Sequence, residues 1–251
     1  MLSVIAKLSG PATLGVIADA AGLTPSSTYR YLRGLVETGF VEQDPISARY
    51  DLGGEALHVG LAALGRTDAC RRALSVLPEL TSKTELVAVL SVWGSHGPTT
   101  LLSEHGSYIS SIRIHEGTVL PLLSTAAGKV FLTYMPTHLT DPLVELEKNT
   151  WKAANPGEET ITQEKIMRFK AEVHHQGLAL SIGRRNQTHA NLAAPVFDHL
   201  GRLCLVISLL GRRGTFDWSP EGVPATELKR VTMALSDRLG ASREEAQAKS
   251  S

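Results

Sequence analysis

Apolar residues recur every three or four positions through the first eighty residues, then give way to runs of branched residues broken by Gly, Ser and Pro. That switch predicts a helical N-terminal part followed by an α+β part. Leu2, Ile5 and Leu8 predict a helix over residues 2–9, closed by Gly10 and Pro11. Thr13 can cap a second helix to Ala21, with Val16, Ile17, Ala20 and Ala21 on its inner side and Gly22 as the left-handed residue after it. Thr24 offers an N-cap hydroxyl, and Pro25 suits the first helical position because no hydrogen bond is lost there. A third helix therefore runs from Pro25 to about Thr38 and stops at Gly39, with Thr28, Leu32, Leu35 and Val36 turned inward. Phe40–Gln43 and Arg49–Leu52 read as two short strands around the turn Asp44–Ala48.

Residues 54–80 are rich in Ala and Leu and predict a connecting helix, a break near Gly65–Thr67, and a helix to about Leu80. The connector is apolar enough to pack against something, either the same helix of a second copy or its own chain. Strands of an antiparallel sheet are predicted at 86–93, 99–105, 108–117, 177–182, 191–198 and 201–211, with Asp198–Gly201 as a hairpin turn. Between them lie a helix from Ser124 or Thr125 to Pro136, a polar loop over 149–162, and a helix from Gln163 to Gln176. A last helix spans Pro224 to Leu239, followed by Gly240 and a polar tail. The expected domains are a winged helix-turn-helix over 1–53, a linker helix over 54–67 and an α+β domain over 68–251.

Composition narrows the function classes. At 251 residues, 43% hydrophobic and 20% charged, the chain is an ordinary globular protein of one large domain or two. Its 25 basic and 25 acidic side chains cancel, so contact with a polyanion must come from a local patch. Cys70 and Cys204 are too few for a disulfide framework or zinc knuckle, and core packing is their expected role. The first residues lack the form of a signal peptide, and no apolar run approaches the ~18 residues that span a bilayer. A cytoplasmic protein without membrane association is expected. No Gly-x-Ser-x-Gly, His-Glu-x-x-His or Cys-x-x-Cys motif occurs, which argues against an enzyme. His174 and His175 are adjacent, so they cannot form the i, i+4 metal pair, and no metal or cofactor is expected.

A helix pair, a third helix and a hairpin are the parts of a winged helix-turn-helix, which lays one helix in a DNA groove. Ser26, Ser27, Tyr29, Arg30 and Arg33 fall on the outer side of the third helix, and Arg30 is the candidate for a bidentate base contact. Arg49 in the wing reaches a phosphate or the minor groove, or else pairs with Asp44 or Asp51. Residues 1–67 carry five basic and six acidic side chains, a net of −1. One such unit should bind duplex DNA weakly, unless two or more act on one duplex.

The stretch IADAAGLTPSSTYRYLRGLVETGFVEQD followed by RYDLG, then LPLLSTAAGKVFLTYMP, then EETITQEKIMRFKAEVHHQGLALS and NLAAPVFDHLGRLCLVISLLG, resembles the IclR family of bacterial transcription regulators along nearly the whole chain. The resemblance implies a winged helix, a linker helix and a GAF-like effector-binding domain. It also implies operator DNA and a small-molecule effector, commonly a small carboxylic or aromatic acid, as partners, and homodimers or homotetramers. Two departures stand out. The chain starts directly on its first helix, so any N-terminal arm is short or absent. The loop before NLAAPV reads RRNQTHAN, with Asn191 where the family often has cysteine.

The helix beginning near Ser124 offers an anion its first N–H groups and positive dipole end. Small residues Ser124, Thr125, Ala126, Ala127 and Gly128 permit close approach to the backbone, and an ordinary packed helix cap would look the same. This stretch lacks P-loop spacing. Family correspondence adds Ser181, Asn191 and Ser208 as polar pocket positions. Arg184, Arg185 and His189 either neutralise an acidic ligand or are simply solvated. The alternative to a regulator is a ligand-sensing oligomer without effective DNA binding, which the net charge of −1 keeps open.

Overall fold

The computed structural model describes residues 1–65, 68–106, 114–154, 160–182 and 189–241. The chain divides into two compact units, Met1–Asp68 and Ala69–Ser251.

The first unit contains α1 (Leu2–Ile5), α2 (Leu14–Ala21), α3 (Pro25–Glu37), the antiparallel hairpin β1 (Val41–Gln43) and β2 (Tyr50–Leu52), and α4 (Gly54–Gly65). Ile5, Ala12, Ile17, Leu32, Val41 and Tyr50 make its core. Here α1 is one turn long rather than the eight residues that apolar spacing predicts. After it the N–H groups of Lys7 and Leu8 bond three residues back, and the chain leaves the helix as turns. On α2 the inward stripe is Leu14, Ile17, Ala18 and Ala21; Val16 and Ala20 face solvent, so the predicted face is corrected by about one position. On α3 Thr28 and Leu32 are buried and Leu35 half-buried as expected, while Val36 is exposed.

Ala12 exchanges both backbone hydrogen bonds with Tyr50 in an isolated antiparallel bridge, which ties the chain before α2 to the wing. Gly39 takes a left-handed φ of 74° after α3, and its carbonyl accepts the Glu55 N–H. Gly53 is buried in the crossing beneath it: a Cβ there would lie 2.3 Å from the Gly39 oxygen. The hairpin and the start of α4 are thereby fixed to each other. On α4, Leu57, Val59 and Leu61 are all exposed.

The second unit is a five-stranded antiparallel sheet in the order β4-β3-β7-β6-β5, from β3 (Val87–Gly94), β4 (Gly97–Glu104), β5 (Ala179–Ile182), β6 (His189–Phe197) and β7 (Leu203–Arg212). Helices α5 (Asp68–Thr84) and α9 (Val223–Arg238) cover one face, where Leu77, Leu80, Leu228 and Leu235 meet Leu90, Leu192, Ile207 and Leu209. Helices α6 (Ala126–Tyr134), α7 (Thr137–Ala154) and α8 (Gln163–Gln176) serve the other, where Ala126, Val130, Trp151 and Ile166 cluster with Ala179, Ala193 and Val206. The hairpin at Asp198–Gly201 forms as predicted, with the Asp198 carboxylate accepting from the Leu200 and Arg202 N–H groups.

Helix α7 is not predicted by the sequence pattern. Pro136 reads as the end of the preceding helix, residues 137–148 carry no predicted element, and residues 149–162 read as loop. The helix forms because Thr140, Val144, Glu147 and Trp151 recur every three or four residues and turn inward. The predicted strand at 108–117 lies mostly outside the described residues; within 114–117 there is no strand, and Val119 bridges Thr99 instead. Both cysteines behave as core residues: Cys70 is buried, and Cys204 donates to the Val196 carbonyl at 3.1 Å. Burial first, then the Asp198 charge, pushes the Cys204 thiol up to about 12, so it stays protonated.

Two glycines test this packing. Gly53→Ala forces a methyl against the Gly39 carbonyl and should cost roughly 2 kcal/mol or more. Gly15→Ala, on an exposed turn of α2 with nothing near it, should stabilise by about 1 kcal/mol. Thermal or urea unfolding followed by circular dichroism reads both, and equal effects contradict the crossing.

Candidate DNA-reading face and effector pocket

The N-terminus of α3 is built by its cap. Thr24 Oγ1 accepts the Ser27 N–H at 3.3 Å and donates to Ser27 Oγ at 3.0 Å. This cap, worth ~1 kcal/mol, fixes where the outward residues start. Ser26, Tyr29, Arg30 and Arg33 are exposed, and Tyr31 joins them as a second exposed phenol. Ser27 is half-buried and engaged in the cap, so it is less open to a ligand than helical spacing suggests. Arg33 is paired with Glu37 at 3.0 Å across one helical turn. Among the described residues, Arg30 is the α3 guanidinium with no such partner. Arg49 does not pair with Asp44 or Asp51; its Nη1 donates to the Pro11 carbonyl at 3.2 Å. Asp44, its expected partner, accepts instead from the Ile46 and Ser47 N–H groups at 3.1 and 2.6 Å.

In the second unit, strand register lines up three rows across the sheet face that α6 covers. One row is Val87, Leu210, Asn191 and Ser181; the next is Ser103, Val89, Ser208, Ala193 and Ala179; the third includes Thr100, Ser91, Val206 and Pro195. Pairing across antiparallel strands puts partners on one face, so the expected Ser181, Asn191 and Ser208 share a surface. Ser91 and Thr100 join them. They are missed from sequence, although Ser91 follows Val87 and Val89 in strand alternation. The Oγ atoms of Ser91 and Ser208, Oγ1 of Thr100 and Oδ1 of Asn191 are buried without a hydrogen-bond partner among the described residues. A buried polar group left unpaired costs about 1–3 kcal/mol, so four on one face mark a surface made for a polar occupant. Val87, Val89 and Leu210 cluster with Ile114 as its apolar wall.

The start of α6 borders this face. Ser181 Oγ donates to the Ser124 carbonyl at 2.8 Å, which ties β5 to the residue before the cap. Thr125 Oγ1 accepts the Gly128 N–H at 2.9 Å and donates to the Pro121 carbonyl at 2.7 Å. The first-turn N–H groups of Ala126 and Ala127 have no recorded partner among the described residues. Gly128 is small for a different reason than ligand approach: a Cβ there would lie 2.0 Å from the Pro121 oxygen, so the chain's own loop fills that space. Lys129 reaches back to β5 and α8. Its Nζ donates to the Leu180 carbonyl at 3.0 Å and lies 4.5 Å from the centre of the Phe169 ring.

Sequence reasoning also misses Glu147, on the helix it does not anticipate. The carboxylate accepts the N–H of Leu122 at 2.6 Å and of Leu123 at 2.9 Å, clamping the loop that leads into α6. Burial pushes its pKa above the ordinary carboxylate value, and the two N–H donors oppose the rise. His189 lies in β6 opposite Arg212, and Arg184 and Arg185 fall outside the described residues. His174 packs its ring edge-on to Tyr134 at 4.9 Å. Among the described residues, no three His, Cys, Asp or Glu side chains gather to hold a metal, and no helix is long and apolar enough to cross a membrane.

A winged reading unit joined to an α+β unit with a polar, partly unpaired face defines a ligand-responsive DNA-binding regulator. The chain belongs to the IclR family of transcriptional regulators. The IclR helix-turn-helix domain matches residues 1–45, and the bacterial transcriptional regulator IclR C-terminal domain matches residues 61–236. The glycerol operon regulatory protein of Streptomyces griseus is 32% identical over 237 residues, covering 92% of this chain and 89% of its own. The crystal structure of Pseudomonas aeruginosa HmgR is 31% identical, covers 95% of both chains and superposes with a TM-score of 0.77. An IclR homologue from Microbacterium hydrocarbonoxydans, crystallised with 4-hydroxybenzoate, shares the fold with a TM-score of 0.78 at 18% identity over 96% of each chain.

The Glu147 clamp has a pH signature. With its folded pKa raised, the native state keeps this proton to higher pH than the unfolded chain. Its contribution to stability is full below the unfolded pKa and falls as pH rises through the folded one. The stability difference between wild type and Glu147→Gln, from urea unfolding, should therefore shrink as pH rises upward from about 4. A difference that does not change with pH contradicts the assignment.

Proposed function

We propose that the chain binds operator DNA through α3, with Arg30 as the base-reading side chain and Ser26, Tyr29 and Arg33 beside it, and that its effector is a small carboxylic or aromatic acid. The acid's carboxylate lies at the first turn of α6, near Ser124–Ala127, and its polar substituents pair with Ser208, Asn191, Ser91 and Thr100. The observation that carries this is the set of four buried, unpaired polar atoms on the face that α6 borders. Apolar contact comes from Val87, Val89 and Leu210. The 4-hydroxybenzoate of the Microbacterium homologue has both a carboxylate and a hydroxyl, the chemistry that such a face suits. The working unit is a homodimer paired through the exposed apolar side chains of α4, or a tetramer of such pairs, and it acts in the cytoplasm. Two reading units on one duplex offset the weak charge of each.

The test is operator affinity measured on the duplex upstream of the chain's own gene, across a panel of small aliphatic and aromatic acids. At least one acid should bind saturably and change operator affinity by about 5- to 150-fold. Ser208→Ala should weaken that acid without lowering the melting temperature of the ligand-free protein. If no acid binds, the effector class is wrong. If the wild-type chain binds the duplex no better than unrelated DNA at every salt concentration, the chain is a ligand sensor without DNA-reading activity.

A further inference from the structure

The wing tip is the most exposed apolar point among the described large hydrophobic residues: Ile46 is 94% accessible, against 64% for Leu57 and Val223. A lone exposed isoleucine is ordinary on a loose loop. This loop is not loose. The Asp44 carboxylate accepts from the N–H groups of Ile46 and Ser47, and the Ala48 N–H returns to the Asp44 carbonyl at 2.9 Å. The Asp44 N–H donates to the Arg49 carbonyl at 2.8 Å, and Gln43 Nε2 holds the Ala48 carbonyl at 3.2 Å. Ala48 takes a left-handed φ of 54° to close the turn. Pro45, directly before Ile46, has its own φ fixed by its ring. The result is a braced tip that presents an apolar side chain to solvent.

The same hairpin has little ionic means of holding DNA. Its acids are Glu42, Asp44 and Asp51, and its one cation, Arg49, is bonded back to Pro11. We infer that the wing engages operator DNA through Pro45 and Ile46 as an apolar wedge against the minor-groove wall, in place of a cationic contact. Apolar side chains serve other minor-groove binders in this way, where sugar walls and base edges give them surface to bury. Asp44 stays ionised, and the N–H groups of Ile46 and Ser47 offset part of its charge within the turn. This inference rests on the DNA-binding reading above, and it names the wing residues that the reading uses.

The experiment titrates the full chain with the duplex upstream of its own gene, by fluorescence anisotropy at several salt concentrations. The proteins are wild type, Ile46→Ala, Ile46→Leu and Ile46→Lys. Losing the wedge should weaken Ile46→Ala about tenfold at every salt concentration, with the slope of log affinity against log salt unchanged. Ile46→Leu should stay close to wild type, and Ile46→Lys should steepen the slope by about one. The inference is overturned if Ile46→Ala binds as wild type does, if Ile46→Leu is as weak as Ile46→Ala, or if the slope drops with Ile46→Ala. Failure of wild type itself to bind removes the DNA-binding reading, and this inference with it.

Discussion

A reading unit with five basic and six acidic side chains cannot hold a polyanion by charge alone, and that shortage shapes the rest of the molecule. The cations that remain are further committed. Arg33 is paired with Glu37, and Arg49 is bonded to Pro11. An exposed ion pair such as Arg33–Glu37 exchanges readily for a better partner. Arg30, with no ion pair among the described residues, is the side chain most ready to meet a base. Sequence preference must then rest on few contacts in fixed positions, which is why the Thr24 cap and the braced wing matter. Each sets the direction of a side chain before DNA arrives. A single copy should then be a poor binder, and α4 has Leu57 and Leu61 exposed one turn apart, the surface proposed for pairing.

The effector side obeys a different constraint, the pairing of buried polar atoms. The sheet face beneath α6 has hydroxyls and an amide where an ordinary core has methyl groups, and four of those atoms are unpaired within the described chain. The opposite face, under α5 and α9, is aliphatic and closely packed. One sheet therefore has one apolar, packed face and one with unpaired polar atoms, the face proposed for the effector. The loop that enters α6 is held from both sides, by Glu147 through two backbone N–H groups and by Ser181 through the Ser124 carbonyl. A ligand that binds here changes the DNA equilibrium only by as much as it prefers one state over another.

The fold was largely legible in the sequence because its signals are local. Thr24–Pro25 and Gly39 bound α3, Thr125 caps α6, and Asp198–Gly201 turns between two strands. The missed parts depend on contacts distant in sequence. Helix α7 contains Pro142, and only its inward stripe of Thr140, Val144, Glu147 and Trp151 overrides that break. The partner of Arg49 lies 38 residues away, beyond any reading of the hairpin itself. Ser181, Asn191 and Ser208 were named through family correspondence, and register places them on one face. Ser91 and Thr100 need the sheet order, which sets β3 beside β7 and β4 on the far side of β3. Gly128 was read as room for a ligand, and the chain's own Pro121 loop occupies that room.

The account stands most directly on pairing through α4. Sedimentation of the full chain and of the double variant Leu57→Asp, Leu61→Asp should show a dimer or larger assembly for the first and a monomer for the second, with the same circular dichroism. On one upstream duplex, the monomeric variant should bind about 100-fold or more weakly than wild type, because two reading units no longer act together. A variant that keeps both the assembled mass and the operator affinity of wild type would contradict the account.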